Sequence, residues 1–444
     1  MNIVVFTPAV KNSAVARMAA LVTRALVAQG NRLTVVRTES PHLLGLETHD
    51  FGTTVLSWND AAKLEPVIRL SDVLIYQMGN NYEFHQGGLH WLEKRPGLVC
   101  LHDFFLGHLF LGWAASHHAK ADAVLRAWYG SHAADQFFRY SECPTFIQLT
   151  HETWPRTEWI SSLALAIITH SNWGCKRILQ SCPGPVRVAP LAYYEQTALQ
   201  TPRPRPSRRD RLHLLTIGHV NPNKRIESVI EAIGGSPLLR AQVIYRLVGP
   251  IQPDVESQLS ALAKKYRVDL QISREVNDAD LAHAIADCDV VSCLRWPSLE
   301  AASASAIEAM LYAKPVIVTD TGFYSELPDA CVFKISPHNE IGDLQGSLAR
   351  LLTDQALRKG VGANAQIWAA QTFTAEAYAR VISDTVEEIF RARPVLDAVS
   401  TFCDLLNHWS GGTALTHLEA LTGPLSVFAN QCDVQDYTAS HSDS

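Results

Sequence analysis

Two glutamates, Glu300 and Glu308, stand among alanines and serines in LRWPSLEAASASAIEAMLYAKPVIVTD, residues 294–320. If one helix ran between them, their carboxylates would lie about 12 Å apart. That is too far for a pair acting on one bond, since retaining-glycosidase carboxylates sit roughly 5 Å apart. It is about the reach of a nucleotide sugar from hexose to ribose. The small residues between, from Ala301, Ala302 and Ser303 to Ser305, let main-chain N–H groups approach a pyrophosphate closely. Two solvated carboxylates flanking a helix would satisfy the same spacing, and spacing alone leaves both readings open.

A second stretch, LLTIGHVNPNKRIESVIEAI (214–233), reads as a strand ending at Gly218, a loop with His219, and a helix starting near Arg225. Lys224 falls at the N-terminal edge of that helix, where free N–H groups already favour anions. A lysine there suits a diphosphate, although a solvated surface lysine fits this fragment as well, and Arg225 is equally ambiguous. Arg295 closes the strand-like DVVSCL. His102 and Asp103 follow the strand-like GLVCL. His102 is the functional candidate there, whereas Asp103 either lines an acceptor site or caps the next helix. Asn80, Asn81 and His85 follow DVLIYQM and are candidates for the acceptor side. Asp287-Cys288-Asp289 spells a metal–diphosphate motif, but its helix-to-strand position suits an aspartate that ends a helix. The histidines at 85, 90, 102, 108, 117 and 118 lack the tight spacing of metal ligands, so no metal site is expected.

The elements that must position these residues form two alternating series. Apolar runs NIVVF (2–6), RLTVV (32–36), DVLIYQM (72–78), GLVCLHD (97–103), TFIQL (145–149) and LAIITHS (165–171) alternate with helix-like segments. Runs of this kind belong to a parallel sheet buried on both faces. TPRPRPSRRD (201–210) is proline- and arginine-rich and reads as a solvated linker. The alternation then restarts with RLHLLTIG, QVIYRLVG, VDLQIS, DVVSCL, PVIVTD and CVFKI, between 211 and 335. The organisation expected is an α/β protein of two Rossmann-like, doubly wound domains facing across a cleft. Its parts are 1–200, the linker 201–210, a second domain over 211–394, and a helical extension with a polar tail over 395–444. Ligands bind at strand carboxyl ends and between domains, which is where the candidates fall.

A net charge of −6 removes the basic excess that general nucleic-acid binding needs. The longest apolar runs are too short to span a membrane. MNIVVFTPAV reads as a first strand rather than a signal peptide, because no basic segment precedes its apolar run. The nine cysteines form no CxxC pair, which suits reduced thiols in a cytosolic protein.

Taken in order, GHVNPNK, the Glu300/Glu308 pair and PVIVTDTGFYSELPD resemble the retaining nucleotide-sugar glycosyltransferases of GT-B fold known as family four. The likeness is specific over 210–335. It is looser over 70–195, where IYQMGNNYEFH, CLHDFFLGH and THSNWGCKRI resemble acceptor-domain motifs of one bacterial polysaccharide branch. The resemblance implies that 1–200 is the acceptor domain and 211–394 the nucleotide-sugar donor domain. By position it puts Glu308 at the ribose, Glu300 at the transferred sugar, Lys224 at the diphosphate and His102 at the donor sugar or phosphate. Gly218, His219, Arg225, Arg295 and Ala301 to Ser303 would complete the donor side. His219 stands where the family usually has arginine, so Arg225 is expected to supply the second positive charge. After the first strand, TPAVKNSAVARMAA replaces a glycine-rich loop, leaving Lys11, Asn12 and Ser13 as donors.

The activity implied is metal-independent, retaining transfer of a hexose to a glycan or lipid-linked acceptor. It would take place in the cytoplasm or peripherally at the inner membrane face. The nucleotide sugar is a co-substrate and no cofactor is implied; the oligomeric state is not assigned. A sugar-nucleotide epimerase of similar fold is the rival enzyme. A catalytically silent GT-B module that binds or stabilises a partner glycosyltransferase is the rival of another class.

Overall fold

The computed structural model describes residues 1–141, 143, 149–194, 211–274 and 277–410. The expected linker 201–210 and four of the five residues of TFIQL lie outside these, as does 411–444. The apolar runs form strands β1 (Asn2–Thr7), β2 (Arg32–Arg37), β3 (Thr54–Ser57), β4 (Val73–Met78), β5 (Leu98–Leu101), β6 (Ala166–Thr169) and β7 (Val186–Val188). After residue 210 come β8 (Leu212–Ile217), β9 (Val243–Val248), β10 (Asp269–Ser273), β11 (Val290–Cys293), β12 (Val316–Thr319) and β13 (Val332–Ile335). Strands β3 and β7 were not foreseen. They are short edge strands, half-buried to exposed, so TVLS and VRV carry no long apolar run.

The first sheet runs β3-β2-β1-β4-β5-β6-β7 and the second β10-β9-β8-β11-β12-β13. Every pair between these strands is parallel. Helices cover both faces, which explains why all six residues of β4 are buried. Each order reverses once, between β1 and β4 and between β8 and β11. A crevice opens at such a switch point beyond the carboxyl ends of the strands. Gly79 and Asn80 follow β4, Gly218 follows β8, and Arg295 follows β11 within two residues.

Met1–Ile389 form one compact unit, which holds both sheets. From Thr374 the chain makes contacts with the first sheet and its connections. Thr374 bridges to Tyr194, Tyr378 packs on His170, and Glu388 pairs with Arg187 at 2.5 Å. This first part of the helix Ala375–Ser410 buries Tyr378, Ile382, Val386 and Ile389 in a core that also holds Val5, Ile75 and Cys100 of the first sheet. The same core holds Leu215, Val291 and Val316 of the second sheet, so the helix's apolar stripe belongs to a core shared by both sheets. Among the described residues, no helix is long and apolar enough to cross a membrane.

Candidate functional site

Gly218 follows β8 with φ +82°, a conformation that glycine adopts at little cost. A Cβ there would stand 3.0 Å from the Lys224 ammonium. Lys224 closes a short 3-10 turn, Pro222–Lys224, and its chain folds back beneath the strand end. It is 5 % exposed, and its Nζ donates to the Ile217 carbonyl at 2.5 Å. Burial, then the positive charge of Arg295, pushes its ammonium down to about 7. A solvated surface lysine is excluded.

Arg295 is the neighbouring cation. Its Nε donates to Glu300 Oε1 at 2.8 Å and its Nη1 to the Leu294 carbonyl at 2.7 Å. Burial opposes its charge, yet Tyr324 and Glu300 outweigh burial and hold it firmly protonated. The Tyr324 hydroxyl also donates to Glu300 Oε1, at 2.7 Å. Arg225, the expected second cation, is committed elsewhere: its Nη2 donates at 2.8 Å to Glu340, which Ser228 also contacts. Arg295, rather than Arg225, acts electrostatically on Lys224. His219 is exposed.

Glu300 lies where the two domains touch. It forms an antiparallel bridge with Asp103. The N–H groups of Phe104 and Phe105 donate to Leu299, and that of Ala301 donates to the His102 carbonyl at 3.0 Å. The Ala301 N–H is thus taken, and Ser303 Oγ caps the helix Ala304–Leu311. His102, Asp103, Glu300, Ala302 and Arg17 line a cavity of about 170 Å³.

Both ring nitrogens of His102 have partners, Gln77 at 2.8 Å and His170 at 3.3 Å. Burial and the nearby His170 keep its pKa well below the usual range, so it is neutral. Asp103 does not cap the next helix. It accepts from the Asn80 N–H at 2.8 Å, and burial with the nearby Glu300 pushes its carboxyl up to about 7. The cap comes from Asn80, whose Oδ1 accepts from His108 and Leu109 at 2.8 and 3.1 Å. Asn81 caps the helix Tyr82–Leu92. Both asparagines therefore spend their side-chain oxygens on helix ends. His85 is buried, held near 4 by desolvation, and packs under Gly79, where a Cβ would meet its Nε2 at 2.8 Å.

Glu308 sits on the helix Ala304–Leu311, and its charge, after burial, helps push the Tyr193 hydroxyl well above its usual range. Arg17 donates to the Tyr193 hydroxyl at 2.5 Å, and Tyr193 and Glu308 together keep its guanidinium charged despite burial. The two glutamates thus have separate partners, and the helix covers only the latter half of the interval between them. The loop after β1 spends its N–H groups internally: Ala9 and Val10 donate at 2.7 and 2.8 Å to buried Glu39. Lys11 pairs with Glu47 at the surface, and Ser13 caps the helix Ala14–Ala28. The helix that follows the loop, rather than a glycine-lined turn, presents Arg17 to the cavity. Asp289 accepts from the His213 N–H at 2.9 Å. Among the described residues, no group of three His, Cys, Asp or Glu could hold a metal ion.

Residues 200–368 match the family described as glycosyl transferases group 1. No curated protein matches the chain by sequence. Solved structures do match in shape. A sucrose-phosphate synthase from Thermosynechococcus elongatus aligns at TM-score 0.59 and 15% identity, over 88% of this chain and 99% of its own. Anabaena HepE in complex with UDP and glucose aligns at 0.57 and 17%, over 87% and 99%. WaaG, a glycosyltransferase involved in lipopolysaccharide biosynthesis, aligns at 0.54 and 16%, over 86% and 99%. The fold is GT-B.

In this GT-B chain, Gly218, Lys224, Arg295 and Glu300 come together at the second sheet's switch point, and His102 and Asp103 face them from the first. Sequence reasoning missed Arg17, Tyr193, His170 and Tyr324. His170 and Tyr324 follow β6 and β12, so the after-strand criterion that found His102 applies to them too. Arg17 and Tyr193 meet across 176 residues and carry no local signal.

Proposed function

We propose that the chain transfers a hexose from a nucleotide-diphosphate sugar to a glycan or lipid-linked saccharide, with retention of configuration and without a metal ion. The observation that carries this reading is the buried Lys224 ammonium, held by one main-chain carbonyl beside a second buried cation, Arg295. Glu300 is the carboxylate beside these two cations, and a pyrophosphate would supply the further negative charge that balances both. As the sugar–phosphate bond lengthens, charge builds on the leaving phosphate. Cations aimed there stabilise the transition state more than the ground state. Glu300 would hold the sugar and Glu308 the ribose, each leaving a protein partner for a ligand hydroxyl. Asp103 would face the acceptor hydroxyl, while His102 contributes shape and its carbonyl. The match of 200–368 to glycosyl transferases group 1 supports the donor assignment. We place the reaction in the cytoplasm, at the inner membrane face where the acceptor is lipid-linked.

The test is incubation with UDP-, GDP- and ADP-sugars and candidate acceptors, reading nucleoside diphosphate release and the anomeric signal of the product by NMR. Release with a retained anomer is expected. An inverted anomer would refute the mechanism. A catalytically silent binding module is the second reading, favoured by the engagement of Glu300 with both Arg295 and Tyr324; absence of turnover on every donor would select it.

A further inference from the structure

We infer that a second cavity, on the other side of the Asp103–Glu300 bridge, is a subsite for a distal sugar unit of the acceptor. This rests on the transferase reading above. The cavity measures about 290 Å³, and Phe104, Trp173, Trp296, Ser298 and Lys176 are among its lining residues. Its aromatic wall is built rather than incidental. Trp173 and Phe104 rings pack 4.6 Å apart. Gly174, at φ +80°, has no room for a Cβ against the Phe104 ring. The Trp173 N–H donates to Glu326 at 2.8 Å, and the Asn172 N–H and side-chain amide donate to it at 2.9 and 3.1 Å. A carboxylate of the second domain thus fixes an aromatic platform of the first. Trp296 also lines the cavity and is 37 % exposed.

The polar groups point the same way. Ser298 is 3 % exposed, and its Oγ has no hydrogen-bond partner. A buried hydroxyl left unpaired costs free energy that a ligand hydroxyl would recover. Lys176 adds an exposed ammonium at the rim. Aromatic faces carry negative charge density and attract the polarised C–H face of a pyranose, while scattered donors and acceptors take its hydroxyls. Apolar walls with few polar groups are the usual form of a small-ligand pocket. The backbone joins the two cavities directly: Phe104 follows Asp103, Ser298 precedes Glu300 by two positions, and the Phe104 N–H donates to Leu299. One sugar unit in each cavity would straddle that ribbon.

The test titrates the full chain with cellotriose, mannotriose, a galactotriose and trigalacturonate, read by tryptophan fluorescence and saturation-transfer NMR. At least one should bind the wild type, and Trp173→Ala and Trp296→Ala should each weaken it roughly tenfold. Ser298→Val and Trp173→Phe, which keep most of the packing, should weaken it less. Nucleotide-sugar affinity and thermal midpoint should be unchanged in Trp296→Ala. Saccharide binding should survive Lys224→Met, which empties the donor site alone. No binding by any of the four, or equal binding by the tryptophan variants, overturns the proposal. Failure of the wild type to bind nucleotide sugars while these saccharides bind would refute the donor reading instead.

Discussion

Raising the pH should weaken nucleotide-sugar binding through Lys224. Its ammonium, ordinarily near 10.5, is pushed down to about 7 by burial and by Arg295. A bound pyrophosphate restores the charge, so binding takes up a proton wherever free Lys224 is neutral. Between about pH 7 and about pH 8.5 the protonated fraction of the free protein falls from one half to about one thirtieth. Affinity should therefore drop ~15-fold, or ~1.6 kcal/mol. The pyrophosphate diester of a nucleotide sugar does not titrate in this window. Isothermal titration at constant ionic strength reads the slope, and Lys224→Met should bind more weakly with a flat profile. The stability effect has the opposite sign. The folded pKa lies below the unfolded one, so the unfolded chain binds more protons between about 7 and 10.5, and Lys224 adds stability as pH rises there. Weaker binding at high pH thus cannot be ascribed to Lys224 unfolding the protein. A flat wild-type profile, or an equal slope in Lys224→Met, refutes the reasoning.

Three further outcomes follow from the geometry. Glu308→Ala should lower nucleotide-sugar affinity by roughly tenfold, the loss of a charged hydrogen bond, with a smaller effect on kcat; titration calorimetry with initial rates checks it. Gly218→Ala forces a side chain into φ +82° and against Lys224, so it should cost ~1–2 kcal/mol in denaturant unfolding and weaken the nucleotide sugar. For Asp103 the folded carboxyl lies near 7, above its ordinary 3.8; the folded state holds the extra proton, and its contribution to stability is lost as pH rises from about 4 through 7. Asp103→Asn should remove that decline, so thermal midpoints measured at low and neutral pH should converge on the variant's side.

The two sheets were legible because a parallel strand buried on both faces leaves an apolar run in the sequence, as in VLIYQM of β4. The edge strands β3 and β7 were not, since an exposed face erases that run. Lys224, Arg295, Glu300 and His102 were legible for one reason: each closely follows a strand, and strand ends meet at the switch point. Roles that depend on distant partners left no local trace. Asn80 looks like a cleft residue, yet its oxygen caps a helix 28 positions on. Arg225 sits beside Lys224 in sequence, but its charge belongs to Glu340, 115 residues away. The loop after β1 has no free N–H groups at Ala9 and Val10 because buried Glu39, about 30 positions on, accepts both.

In the proposed reaction Glu300 acts on the transferred sugar while Lys224 and Glu308 hold the nucleotide. Comparing wild type with Glu300→Ala tests it most directly, using one nucleotide sugar that the wild type consumes, with turnover and calorimetric affinity measured on the same preparations. Expected is a fall in kcat of about 100-fold or more, with affinity changed less than about threefold. Unchanged turnover, or turnover and affinity falling together, would contradict it.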